Sequence, residues 1–410
     1  MRLLKQLVPA VVVGIASALV LWLVDYLADP LLHDLLWSHL PSWLDISSSS
    51  PWWIFAVLTA TGAAVGLVVW LVPGHAGPNP ATVDLMHPPG PIGEVPSLLL
   101  AAILALAGGV SLGPEFPVLG ANAALAVALG ARLTPRIPAA SWAGLAMAAT
   151  IGALFGAPIA AALMLTEAFA QNPSEEPLWD RLFAPLAAAA AGGLTYLAIT
   201  GGSTMSLSLP PYPGFRWGDI VAACLIAVIS SLIALAAIWV FPRLFALFQT
   251  LRHPMLMLTA GGIVLGVLGA IGGEITMFKG LDQMAELTKE YPTLSSASLA
   301  IIAGIKLIAM LVAATAGFRG GRIFPTVFIG VALGMLANSL FSSVPVGMAV
   351  ACSILGLVLV ITRSGWLAIF LAAVVVPNPS ILVIICVAVL PAWLLTRGAR
   401  EMIAGDTVAA

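Results

Sequence analysis

The stretch GGVSLGPEFP, residues 108–117, is the most informative part of the sequence because it places a carboxylate inside an apolar helix. No charged residue occurs at 95–114 before Glu115 or at 116–131 after it. A carboxylate at bilayer depth costs roughly 2.5–3.5 kcal/mol on insertion scales, and Glu115 has no basic neighbour in the sequence. Two interpretations remain open: Glu115 caps its own helix, or it competes with a transported anion for the free N–H groups there. Acidic residues inside membranes are functional by default, which favours the second interpretation.

A second copy of this pattern lies 208 residues later, as AGFRGGRIFP at 316–325. Four aligned pairs carry identical and uncommon residues: Gly109 and Gly317, Gly113 and Gly321, Phe116 and Phe324, and Pro117 and Pro325. Internal similarity of this kind is typical of transporters built from two halves that meet at a central site. We predict two structural repeats, residues 1–205 and 219–410, joined by a linker at 206–218. Two unrelated glycine-proline helix starts are the alternative.

The second copy has Ile323 where the first has Glu115, so its helix start offers N–H groups without a competing carboxylate. Two such starts that face each other form a concave cluster of donors suited to a partly dehydrated anion. Arg319 and Arg322 could raise the positive potential at a vestibule. For Arg319, an ordinary role in a cytoplasmic loop is an equal alternative.

The composition excludes a soluble globular protein. Hydrophobic residues make up 61% of the 410 residues, charged residues 8%, and the mean hydropathy is +1.08, whereas soluble proteins are about 25% charged. Apolar windows long enough to span a bilayer are interrupted by many of the 39 glycines and 30 prolines. We predict an all-α polytopic membrane protein with broken helices. The polar stretches 167–181 and 274–290 read as loops, and residues 6–24 form the first span.

The net charge and the cysteine positions exclude several classes of partner and cofactor. The net charge of −2 offers no basic surface for nucleic acid. The three cysteines lie in apolar stretches without a Cys-x-x-Cys pair, so neither a disulfide framework nor a thiolate metal site is predicted, and no cofactor motif occurs. Arg2 and Lys5 at one end, and Arg397 and Arg400 at the other, predict that both termini are cytoplasmic.

An enzyme is a distant alternative. Gly109-Val110-Ser111-Leu112-Gly113 matches the G-x-S-x-G pattern of serine hydrolases. That motif needs a strand–turn–helix elbow and a histidine partner, and the five histidines all lie at or near predicted loops. We therefore predict no enzymatic activity.

At these residues the sequence resembles the CLC family of chloride channels and proton–chloride antiporters, over nearly the whole chain. It is most similar to a small bacterial branch known only as ion-transport proteins. GPEFP at 113–117 matches the gating-glutamate motif, with Glu115 at the gate position. GGRIFP at 320–325 matches the second anion-binding loop, which implies that the amides of Arg322 and Ile323 hold the anion. GAPIAAALMLTE at 156–167 resembles the helix that ends in a conserved acid.

Three positions depart from the family pattern. The first anion loop, Gly-Ser-Gly-Ile-Pro in the family, is best matched by AGPNP at 76–80, where Gly77 replaces the serine and removes a hydroxyl donor. Trp393 falls where the family has its central tyrosine, and its indole N–H could still donate to an anion. The inner proton-relay glutamate falls on Ala168. Glu167 is a weaker candidate because it lies about 100° away around a helix and is expected to point elsewhere.

The resemblance implies a homodimer in a bacterial inner membrane, each subunit having its own pore between two inverted halves. The expected cargo is a small inorganic anion, chloride or another halide, with protons as a second cargo if transport is coupled. Anion contacts are expected from Gly77, Glu115, Phe116, Arg322, Ile323 and Trp393, with Glu115 as the gate. A fluoride or other non-chloride antiporter on the same scaffold is the alternative. The absent inner acid favours a channel or a loosely coupled exchanger.

Overall fold

Apolar helices make up most of the protein, as the composition predicts. A computed structural model describes residues 2–84, 87–133, 137–171, 175–202 and 205–404. Its α-helices, in chain order, are α1 (Arg2–Tyr26), α2 (Leu40–Trp43), α3 (Pro51–Leu71), α4 (Val95–Ala107), α5 (Glu115–Leu133), α6 (Ala139–Phe155), α7 (Pro158–Gln171), α8 (Leu178–Thr200), α9 (Trp217–Gln249), α10 (Pro254–Gly272), α11 (Leu281–Glu290), α12 (Ser296–Ala316), α13 (Ile323–Leu340), α14 (Val346–Thr362), α15 (Gly365–Val375) and α16 (Pro379–Thr396).

Eight helical runs in the described ranges are long and apolar enough to cross a membrane, and five shorter apolar helices of 10–17 residues accompany them. The shorter ones are Ile92–Ala107, Ala139–Phe155, Pro158–Ala170, Val346–Thr362 and Gly365–Val375. Helices too short to span alone are tolerated in lipid only where neighbouring protein satisfies their ends. The predicted all-α membrane fold with broken helices is confirmed.

Local sequence explains where several helices begin and end. Proline occupies the first turn of α3, α10 and α16, where its missing N–H costs nothing. The Asn378 side chain accepts hydrogen bonds from the N–H groups of Ser380 and Ile381 and so caps α16. Helix α12 ends at Gly317, whose φ of 96° turns the chain into the loop 318–322. A residue with a side chain adopts that conformation only under strain.

Glycines let buried helices pack closely around the centre. A Cβ on Gly334 of α13 would lie 2.3 Å from the Cα of Val350 on α14. Gly62 of α3 and Gly262 of α10 face each other in the same way, each with its added Cβ within 2.6 Å of a carbonyl oxygen of the opposite helix. Membrane helices associate through such small residues because lipid supplies no hydrophobic drive between them.

Three segment boundaries differ from the prediction. The stretch 274–290 contains α11, because the residues Gln283, Met284 and Leu287 share one buried helix face that the high polar content concealed. The first helical run extends over Gln6–Trp43, well beyond residue 24, through π-helical turns at Leu27–His33 and Leu35–His39. Helix α7 continues to Gln171, inside the stretch 167–181 that was expected to be a loop. The division into two repeats stays a prediction.

Candidate anion site

The two glycine-rich motifs meet directly. Gly113 and Gly321 form an isolated antiparallel bridge, in which the Gly113 N–H donates to the Gly321 carbonyl at 2.8 Å and the Gly321 N–H donates back at 2.7 Å. These are the same two glycines that the 208-residue offset aligns. The bridge brings the starts of α5 and α13 together, so both helix N-termini converge on one place.

The Glu115 carboxylate lies at this convergence. Its side chain is fully buried, and its Oε1 accepts a hydrogen bond from the Phe324 N–H of α13 at 2.8 Å. Its Oε2 accepts no hydrogen bond from the described residues. An anion at a helix N-terminus is stabilised by free N–H groups and by the helix dipole. Glu115 therefore does not only cap its own helix, since it takes an amide from the helix of the other motif.

Gly113 and Gly321 leave no room for a side chain beside the Glu115 carboxylate. A Cβ on Gly113 would lie 2.2 Å from the Glu115 Oε2, and one on Gly321 would lie 2.0 Å from the same oxygen. Both distances are far below van der Waals contact, so a side chain at either glycine would displace the carboxylate. The sequence pattern Gly-x-Glu opposite Gly-Gly thus describes a pocket built around one carboxylate.

A cavity of about 800 Å³ is lined by residues of both glycine-rich motifs. Phe116, Arg322 and Ile323, three of the predicted anion-site residues, line it together with Gly320 and Gly321. Its remaining wall comes from the loop segments 80–84 and 87–89, from Val127 of α5, from α6, from the end of α7, from the junction of α14 and α15, and from the segment after α16. The cavity therefore connects the surface with the backbone beside Glu115.

Arg319 ties the second motif to the loop that carries Gly77. Its buried guanidinium donates to the carbonyls of Ala76 at 2.9 Å, Gly77 at 3.1 Å and His75 at 3.3 Å, and to Gly317 at 2.7 Å. A buried arginine that donates to four backbone carbonyls, two of them in buried hydrogen bonds, is a structural clamp. The alternative of an ordinary loop arginine is wrong.

Gly77 lies next to the second motif, but its N–H is already used. That N–H donates to the Gly74 carbonyl at 2.9 Å, while the Gly77 carbonyl points at Arg319. The stretch 74–81 is a turn-rich loop, with left-handed backbone at Gly74, His75, Ala76 and Gly77. The structure thus brings Gly77 to the Arg319 clamp and not to the Glu115 carboxylate.

Trp393 is placed on the surface of the bundle. Its side chain on α16 is 41% exposed and does not line the cavity. The segment that follows α16 turns back instead: Met402 is buried and lines the cavity, its carbonyl accepts a hydrogen bond from Arg322, and the Ala404 N–H donates to Ala81 at 2.7 Å. The apolar pair Met402 and Ile403 was the only sequence signal for this return.

Glu167 and Ala168 both line the cavity, although the helical angle between them suggested that only one would. The Glu167 Oε1 accepts a hydrogen bond from the Trp366 N–H at the start of α15, at 3.1 Å. This acid therefore caps a neighbouring helix and is not simply solvated.

The surroundings of Ser111 lack the geometry of a serine hydrolase. Ser111 is buried, its Oγ has no hydrogen-bond partner among the described residues, and the chain around it forms no strand. A nucleophile needs a base within hydrogen-bond reach.

The family model described as voltage gated chloride channel matches residues 61–397. The chain belongs to the CLC family. Members of this family are channels or transporters, so the protein is a transport protein and not an enzyme. The predicted family is confirmed.

Similar proteins agree with this assignment. Relatives from Escherichia coli strain SMS-3-5 and from Shigella boydii serotype 18, which carry the provisional name of ion-transport protein YfeO, are 50% identical over 394 residues. The match covers 96% of this chain and 93% of each relative. Among solved structures, a slow cyanobacterial Cl−/H+ antiporter aligns over 97% of this chain and 96% of its own, with a TM-score of 0.80 and 16% identity. A CLC-type fluoride/proton antiporter aligns over 98% and 97%, with a TM-score of 0.72 and 18% identity. At such identities the structures share the fold.

Proposed function

We propose that this CLC protein moves a small inorganic anion, chloride or another halide, past the joined starts of α5 and α13, and that Glu115 gates the path. One observation carries the proposal: the Glu115 carboxylate accepts the Phe324 N–H at 2.8 Å, so a carboxylate already occupies an amide at a helix start that is suited to an anion. An anion that displaces this carboxylate would find the same donors.

The geometry favours a narrower site than the sequence suggested. We assign the anion to the amides of the α13 start, at Arg322, Ile323 and Phe324, with Phe116 at the cavity side. Gly77 and Trp393 are left out because the Gly77 N–H is used in its own turn and Trp393 lies at the surface.

Gating follows from the charge of Glu115. While ionised, the carboxylate competes with the anion for the amides; once protonated, it loses its hold on them and can leave. Anion flux should therefore rise as the pH falls. Whether protons also cross the membrane depends on a second titratable group on the other side of the site. Neither position that the family pattern suggests supplies a tightly coupled path, because Ala168 cannot titrate and Glu167 is engaged with α15. We therefore favour a channel or a loosely coupled exchanger.

The proposal extends to the two halves of the chain, the oligomer and the orientation in the membrane. We propose that residues 1–205 and 219–410 are inverted halves whose shared contact is the bridge between Gly113 and Gly321, with 206–218 as the linker. A homodimer in the bacterial inner membrane, with both termini cytoplasmic, completes the proposal; the basic residues at both ends support that orientation.

Reconstitution into liposomes tests this function. Flux of chloride, bromide, nitrate and fluoride is recorded with anion and proton electrodes, for the wild type and for Glu115→Ala. We expect halide flux that requires the protein and is faster in Glu115→Ala, because the competing carboxylate is gone. Absence of flux for every anion would refute the proposal. Flux of fluoride alone would favour the fluoride antiporter, the activity in the name of one structural neighbour.

A further inference from the structure

His87 occupies a position that the transport scheme has not used. It lines the cavity, and its ring stacks on Phe116 with the ring centroids 5.2 Å apart and the planes inclined by 13°. Phe116 is the residue next to Glu115 and is almost fully buried. A titratable ring is therefore held against the first turn of the gate helix, at the wall of the cavity.

Gly321 borders both the cavity and the gate carboxylate. Gly321 lines the cavity, and a Cβ on it would lie 2.0 Å from the Glu115 Oε2. That oxygen has no hydrogen-bond partner among the described residues. A carboxylate that must gain and lose a proton needs a carrier near the oxygen that is not already bonded, and Oε2 is that oxygen.

A hydrogen bond to the backbone fixes the tautomer of the neutral imidazole. The His87 Nδ1 lies 3.1 Å from the Asp84 carbonyl, and a carbonyl oxygen can only accept, so Nδ1 carries the proton of that bond. In the neutral ring Nε2 is then the free acceptor. A histidine changes charge between about pH 5 and 8, where the other ordinary side chains do not.

Three other charged groups around the cavity have hydrogen-bond partners of their own. Glu167 accepts the Trp366 N–H, Arg322 donates to the Met402 carbonyl, and Arg363 donates to the Thr396 carbonyl. Asp84 interacts electrostatically with Arg322, and Glu401 lines the wall formed by the segment after α16. These groups set the potential that His87 experiences. Among them, His87 alone is stacked on the gate helix.

We propose that His87 carries protons between the cavity and Glu115. Cavity water protonates Nε2; the imidazolium returns that proton, directly or through water, to the Glu115 Oε2, which leaves a neutral ring and a neutral carboxyl group. In release, the Oε2 proton passes back to Nε2 and from there to cavity water, so the pair neither gains nor loses a proton over a full cycle. This inference rests on the proposed gating role of Glu115.

The test changes the pH on one side of the membrane at a time. Inside-out and right-side-out vesicles from cells that express the chain present opposite faces to the medium, and halide flux is recorded while only the outer pH varies. The cavity side is the side on which α16 ends. His87→Phe keeps a ring for stacking on Phe116 but cannot titrate, and His87→Gln serves if the first variant folds poorly. His253→Phe is the matched control, because His253 also packs on an aromatic ring, that of Trp70 at 5.0 Å, yet does not line the cavity.

We expect wild type and His253→Phe to respond to the pH on both sides. His87→Phe should lose the response on the cavity side and keep the response on the other side, an outcome that a merely structural role would not produce. The inference is overturned if His87→Phe responds like wild type, if wild type shows no cavity-side response, or if Glu167→Gln and not His87→Phe removes it.

Glu115→Gln separates this inference from the proposed function. It should respond to the pH on neither side. If Glu115→Gln keeps both responses, the gate itself is refuted and the inference fails with it. If Glu115→Gln loses both responses while His87→Phe keeps both, the gate stands and only the role of His87 is refuted.

Discussion

The two motifs that meet at the centre share a backbone but differ in chemistry. Gly113 and Gly321 hold each other through two reciprocal hydrogen bonds. At the position after next, one motif carries the Glu115 carboxylate, and the other carries Ile323 at a helix start that donates to it. The repeated glycines therefore fix the geometry of the backbone. The position at which the two motifs differ makes one motif the hydrogen-bond acceptor, through Glu115, and the other the donor.

The loops before these helices differ in the same way. Ser111 in the first motif aligns with Arg319 in the second. The Ser111 Oγ has no described hydrogen-bond partner, whereas Arg319 satisfies four carbonyls and joins the loop 74–77 to the second motif. The second motif is thus braced by the buried Arg319 side chain, whereas the side chain at the matching position of the first motif, Ser111, has no described bond of this kind. Rigid donors and a movable carboxylate are what a gate requires.

Removing the brace should have the largest effect. Arg319→Gln leaves several buried carbonyls unpaired, and because hydrogen bonds from a charged group contribute about 1.5–3 kcal/mol each, we expect a loss of at least ~3 kcal/mol of stability. Thermal unfolding in detergent measures it. Arg243→Gln is the control, since Arg243 is exposed and bonds within its own helix; an equal loss in both variants would contradict the role of Arg319 as a clamp.

A side chain at the bridge glycine Gly113 should displace the Glu115 carboxylate and so open the gate. The three atoms nearest to the Cβ of Gly113→Ala would all belong to the Glu115 carboxyl group, the closest at 2.2 Å. We therefore expect the carboxylate to be displaced and the flux to lose most of its pH dependence. In the Glu115→Ala background the same substitution should have little further effect, because the clashing atoms are gone. Gly304→Ala, where an added Cβ meets nothing within 4 Å, is the control. Normal pH dependence in Gly113→Ala would show that the carboxylate does not lie between the two glycines.

The smallest effect is expected at Gly77. Gly77→Ser restores the hydroxyl of the related loops, but the residue has a φ of 63° and its carbonyl is held by Arg319. A single neutral hydrogen bond contributes about 1 kcal/mol, less than the ~1.4 kcal/mol needed for a tenfold preference. We expect the chloride-to-nitrate flux ratio to change less than tenfold, with Gly93→Ser as the control. A larger change would return Gly77 to the anion site.

The sequence predicted the parts of this site that depend on local chemistry. A lone acid in an apolar helix start, and a second start without one, were visible at Glu115 and Ile323. Composition was sufficient for the all-α membrane fold. The placement of Phe116, Arg322 and Ile323 around one cavity also agrees with the motif positions.

The remaining features depend on contacts between distant residues. Nothing local to Arg319 indicates that it reaches the carbonyls of residues 75–77, more than 240 positions away. The return of Met402 to the cavity depends on its contact with Arg322, whereas the resemblance to the family pattern pointed to Trp393. The stacking of His87 on Phe116 likewise joins a loop to a helix start. These contacts could not be predicted because the residues that form them are far apart in the sequence.

The central claim is that the Glu115 carboxylate and the transported anion compete for the amides at the start of α13. The most direct measurement is halide flux through liposomes across the pH range in the wild type, Glu115→Gln and Glu115→Ala. Glutamine imitates the protonated gate, and alanine removes it. We predict that wild-type flux rises as the pH falls, whereas both variants carry flux that is fast and nearly independent of pH. An unchanged pH profile in both variants would contradict the account.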